Sequence, residues 1–123
     1  MARIILIDDD ELLCNTVARG LTAAGHTVVV ASNGFDGVKQ FRENSADLIL
    51  TDINMPHGGL PTIRVLRAGY PQLLIMAMSG NPTHLDMAGA LGANRIIAKP
   101  FTPKELAAAI AEVLAAGAQP AKA

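Results

Sequence analysis

Near its start the chain reads Arg3-Ile4-Ile5-Leu6-Ile7-Asp8-Asp9-Asp10. Four apolar residues without polar alternation suit a strand covered on both faces, as in a parallel sheet. Three carboxylates then end the run. Similar runs recur at Val28–Ala31, Leu48–Leu50, Leu73–Met78 and Ile96–Ala98. Between them lie segments of helical period. In Glu11–Ala24 the residues Leu13, Val17 and Leu21 share one stripe, and Gly34–Glu43, Pro61–Ala68 and Thr83–Leu91 follow. The last helix opens on Thr102-Pro103-Lys104-Glu105, a capping box with proline at the first helical position. Leu106, Ile110, Val113 and Leu114 supply its buried stripe. Gly25, Gly69, Gly92 and Gly117 each stand where a helix should stop, as left-handed caps. Five strands alternating with five helices predict a doubly wound α/β fold with a parallel sheet. In that architecture ligands bind at the carboxyl ends of the strands.

Composition narrows the function classes. The 123 residues suit one domain, expected over residues 1–118, with 119–123 as a flexible tail. Half the residues are hydrophobic and 17% are charged, which excludes disorder and coiled coil. A formal charge of −1 gives no electrostatic footprint for nucleic acid or an anionic membrane. The single cysteine, Cys14, cannot form an internal disulfide, and the expected compartment is a reducing cytoplasm. No apolar stretch reaches the roughly 20 residues that span a bilayer.

The strand ends gather a particular chemistry. Asp8, Asp9 and Asp10 follow the first strand, and Thr51-Asp52-Ile53-Asn54-Met55-Pro56 follows the third. Ser79-Gly80-Asn81 follows the fourth, and Lys99-Pro100-Phe101 the fifth. Two carboxylates about 4 Å apart repel by roughly 4 kcal/mol at an effective dielectric near 20. Such a cluster raises pKa values or recruits a cation, and few carboxylates with room for water and phosphate suit Mg²⁺. The same crowding predicts that Asp52→Asn raises the melting temperature of the metal-free protein. Asp52, alone on the central strand, is the best candidate nucleophile for a phosphoryl group. Asp8 and Asp9 would hold the metal, while Lys99 and Ser79 would contact phosphoryl oxygens. Asp10 reads as the N-cap of the first helix. His26, His57 and His84 share no metal spacing and read as solvated or satisfied, with His57 and His84 flanking the rim.

These four motifs, in order at the strand ends, resemble those of the bacterial response-regulator receiver domain. The resemblance runs from Arg3 to about Ala116. It implies the flavodoxin-like strand order 2-1-3-4-5 and a phosphoacceptor at Asp52. It also implies a metal site of Asp8, Asp9, Asp52 and the backbone carbonyl of Asn54, and a cis Lys99–Pro100 bond. Ser79 and Lys99 would shift toward the phosphoryl group. The implied donor is a histidine kinase or a histidine phosphotransfer protein. The implied output is a changed protein-interaction surface on the fourth helix, fifth strand and fifth helix, in a monomer or weak dimer. The chain departs from the family pattern at Ile96, where an aromatic residue is common, and in the loop His57-Gly58-Gly59-Leu60, one residue shorter than usual. The last helix carries no arginine, and no second domain is evident, so a protein contact is expected rather than DNA binding. Two other readings compete. A haloacid-dehalogenase-type phosphatase would use Asp8 and Asp10, and a pseudo-receiver would never carry phosphate.

Overall fold

The computed structural model describes residues 2–55 and 59–117. Its strands are β1 (Arg3–Ile7), β2 (Thr27–Ala31), β3 (Leu48–Asp52), β4 (Leu74–Ser79) and β5 (Arg95–Ala98). All pair in parallel, in the order β2-β1-β3-β4-β5. The connecting helices are α1 (Glu11–Ala23), α2 (Gly34–Asn44), α3 (Leu60–Gly69), α4 (Pro82–Leu91) and α5 (Pro103–Ala116). The doubly wound architecture is the one that the sequence pattern predicts, and the strand order is the flavodoxin-like one that the resemblance implies.

Successive side chains on a strand point to opposite faces, so each apolar run feeds two cores. Ile4, Leu6, Leu48, Leu50, Met76 and Met78 join Val17, Leu21, Leu106 and Ile110 beneath α1 and α5. Ile5, Ile7, Ile49, Ile75 and Ala77 join Phe41, Ile63, Leu66 and Leu85 beneath α2, α3 and α4. Each fully buried aliphatic side chain contributes roughly 1.5–3 kcal/mol, and β1, β3 and β4 are buried along nearly their whole length. The edge strands differ from the expectation of cover on both faces. Val30 on β2 and Ile96 on β5 are exposed, because an edge strand has a neighbour on one side only.

Strand and helix ends also show differences. β3 runs on through Thr51 and Asp52, and β4 through Ser79, because the parallel ladder continues to the rim. Gly25, Gly92 and Gly117 have positive φ, as expected of helix stops, but Gly69 does not. It is the last residue of α3, and Tyr70 is the cap, with φ −139°. The stop of α2 is Ser45, at φ 53°. The α5 capping box is present: Thr102 Oγ1 accepts the Glu105 N–H at 3.0 Å, and Glu105 Oε1 accepts the Thr102 N–H at 2.7 Å. Pro56, His57, Gly58 and the 118–123 tail lie outside the described residues, as do the expectations placed on them.

Candidate functional site

Strand parity assembles the site. The ladder continues past β1 and β5, since the Asp8 N–H donates to Ala31 O and the Lys99 N–H to Ser79 O. Asp8 therefore keeps the parity of Ile4 and Leu6, Asp52 that of Leu48 and Leu50, and Lys99 that of Ile97. All three belong to the α1–α5 face, where Lys99 Nζ lies 2.9 Å from Asp52 Oδ1 and 3.3 Å from Asp8 Oδ2. Asp8 and Asp52 are only 2% and 3% exposed, a burial that acidic residues tolerate when paired. Asp9, by contrast, is exposed.

Carboxylate oxygens of Asp8, Asp9 and Asp52 all lie within 4.8 Å of one another. Three carboxylates against one ammonium leave two uncompensated negative charges. Burial, the largest influence, pushes the Asp8 carboxyl above its ordinary value; Asp52 adds to this, while the Asp10 N–H and Lys99 oppose it. For Lys99, burial alone would lower the ammonium pKa, but its hydrogen bond and charge interaction with Asp52, together with Asp8, raise it. Lys99 is thus a fixed cation, and hard oxygen ligands carrying a charge deficit of two fit a divalent hard cation such as Mg²⁺.

Asp10 does not join the cluster. Its side chain caps α1 by accepting the Leu13 N–H at 3.1 Å, as expected. A dehalogenase-type role would need that carboxylate free. Cys14 is buried and donates its thiol to Asp8 O at 3.4 Å. Burial, with the neighbouring aspartates, pushes its pKa up to about 11, which disfavours the reactive thiolate at neutral pH.

Ser79 has the other parity and belongs to the opposite face. Its Oγ accepts the Asn81 N–H at 3.0 Å and the Asn54 Nδ2–H at 3.1 Å. Asn54 in turn places Oδ1 2.6 Å from His84 Nδ1. His84 is thus satisfied, by a partner that sequence spacing does not point to. The available signal was the cap Asn81-Pro82, which starts α4 at the rim and puts His84 in its first turn. The Lys99–Pro100 bond is cis, as the resemblance implies.

Comparison with known proteins agrees with this geometry. The sequence profile of the family described as "Response regulator receiver domain" matches residues 4–111. The chain is 33% identical over 120 residues to the transcriptional regulatory protein CusR of Escherichia coli, covering 94% of this chain and 52% of that protein. It is likewise 33% identical over 120 residues to AfsQ1 of Streptomyces coelicolor, covering 95% of this chain and 53% of that one. The chain thus spans about half the length of the curated relatives it matches. Among solved structures, the chemotaxis response regulator CheY4 of Vibrio cholerae superposes with a TM-score of 0.85 at 26% identity, covering 92% of this chain and 98% of that one. A response regulator receiver domain protein from Clostridium thermocellum gives 0.87 at 27% identity, covering 94% and 96%. Among the described residues no helix is long and apolar enough to cross a membrane.

Proposed function

The chain belongs to the response-regulator receiver family, a signalling domain of two-component systems, and from that premise we propose that Asp52 is its phosphoacceptor. The donor is a histidine kinase or a histidine phosphotransfer protein. An Asp52 carboxylate oxygen attacks the phosphorus as the P–N bond of phosphohistidine breaks, and the electron pair leaves with the imidazole. The observation that carries this reading is the shared lysine. Lys99 Nζ touches both buried carboxylates, so its charge stands where negative charge develops during transfer.

Asp8, Asp9, Asp52 and the Asn54 backbone carbonyl would hold Mg²⁺. When bound, the ion would screen the cluster from an incoming anionic phosphoryl group. Ser79 would donate its hydroxyl proton to a phosphoryl oxygen after leaving its present partners. On this reading the domain runs over residues 1–118, and its output is a changed protein contact. Exposed Met87 on α4 and Ile96 on β5 suit such a contact. Ile96 also means that this switch operates without an aromatic ring at that position.

The test is intact mass after incubation with acetyl phosphate. One phosphoryl adduct is expected, dependent on Mg²⁺ and absent from Asp52→Asn. An adduct that survives Asp52→Asn would move the acceptor elsewhere. If no adduct accumulates and beryllofluoride also fails to bind, the phosphoacceptor reading falls.

A further inference from the structure

The Asn54–Ser79 bond ends in a histidine that the phosphoacceptor chemistry leaves unused. His84 sits in the first turn of α4, held there by Asn81, whose Oδ1 accepts the Thr83 N–H at 2.9 Å and the His84 N–H at 3.3 Å. Across the rim, its Nδ1 lies 2.6 Å from Asn54 Oδ1, a contact joining residues 30 apart in sequence. A carboxamide oxygen only accepts, so His84 Nδ1–H is the donor. Asn54 then has its nitrogen on the other side, and Nδ2–H donates to Ser79 Oγ at 3.1 Å. With the Asn81 N–H also donating to it, the Ser79 hydroxyl oxygen has both lone pairs occupied.

We propose that His84 is a positioning residue that holds Ser79 in its resting arrangement through the side chain of Asn54. The proposal rests on the reading of Asp52 as phosphoacceptor. Ser79 belongs to the sheet face opposite Asp52, so on this proposal a turn of its Oγ toward a phosphoryl group on Asp52 carries it away from Asn54 Nδ2. An Asn54 side chain tied at both ends has already lost its rotational freedom, so it makes a strong partner for Ser79. Without His84, the carboxamide must be ordered anew each time the bond forms, which weakens it. His84 thereby biases a two-state equilibrium toward the unphosphorylated arrangement, and its removal shifts the population by about the worth of one net hydrogen bond.

The experiment measures the affinity of the Mg²⁺-loaded protein for beryllofluoride, a phosphoryl mimic, by NMR titration. His84→Ala is expected to bind about twofold to tenfold tighter than the unsubstituted protein, the factor set by one neutral hydrogen bond. His84→Asn should restore the original affinity, because its Nδ2–H stands close to where the ring Nδ1–H stood. A merely structural role for His84 would not predict that rescue. The double variant His84→Ala/Asn54→Ala should bind no tighter than Asn54→Ala alone, since the two side chains act as one unit. A readout without phosphoryl chemistry is the Asn54 side-chain amide resonance, which should move in His84→Ala and return in His84→Asn. Unchanged or weaker binding by His84→Ala, with normal binding by the unsubstituted protein, overturns the proposal and leaves Asp52 as acceptor. Failure of the unsubstituted protein to bind beryllofluoride or accept acetyl phosphate overturns the underlying reading and the proposal with it.

Discussion

Asp8 and Asp52 share one ammonium unequally. Lys99 makes the shorter bond to Asp52, at 2.9 Å against 3.3 Å, and the Asp8 carboxyl is pushed up chiefly by burial, with the Asp52 charge adding to it. Like Asp52→Asn, Asp8→Asn is expected to relieve the metal-free protein. That variant can still accept the Asp10 N–H now bonded to Asp8 Oδ1 at 2.9 Å. It is expected to raise the metal-free melting temperature by roughly 2–5 °C at pH 7. The sign follows from linkage. Asp8 has a folded pKa above its ordinary 3.8, so its contribution is complete below 3.8 and lost as pH rises through the raised value. The gap between variant and unsubstituted protein should thus vanish near pH 3 and open as pH rises. Melting curves at both pH values check this, and an equal gap at each would show another cause. Lys99, also raised, should keep its contribution at neutral pH and lose it only in the alkaline range.

At the scale of elements, the end of α4 is braced by a residue of α3. Arg67 donates Nε and Nη2 to Gly92 O at 3.0 and 2.9 Å, and Nη1 to Tyr70 O and Pro71 O. Nη2 also reaches Asn94 Oδ1 at 2.7 Å, the same oxygen that accepts the Ile75 N–H. One guanidinium thus ties the C-terminal ends of α3 and α4 to the start of β5, setting the position from which α4 carries His84 to the rim. Gly92 caps α4 at φ 116°, a conformation L side chains rarely adopt, and a Cβ there would also press on the Arg67 side chain. Gly92→Ala is expected to cost about 1–3 kcal/mol, read as a lower urea midpoint. An unchanged midpoint would mean that the cap is not under this constraint. In the sequence the glycine was legible as a helix stop, but the arginine was not legible as its brace. The partners of Arg67 lie up to 27 positions away.

For the whole molecule, the uncompensated charge of the acidic cluster predicts that a divalent cation bound there raises stability. Mg²⁺ that binds the folded chain alone stabilises it by about 2.7 kcal/mol at a hundredfold excess over Kd. A rise in melting temperature with Mg²⁺, lost in Asp9→Asn, is the expected result; a shift that persists in Asp9→Asn would place the ion elsewhere. By itself the sequence determined the elements, the fold class and the chemistry of the rim. All-apolar runs, helical stripes and the Thr102–Glu105 capping box are local patterns, and each strand end carries its reactive residue with it. The tertiary structure decided which of those residues meet. Strand order and parity put Asp8, Asp52 and Lys99 on one face and Ser79 on the other, while the loop after β3 and the start of α4 bring Asn54 to His84. Such contacts join residues that no local periodicity relates, because they depend on the packing of two layers against one sheet.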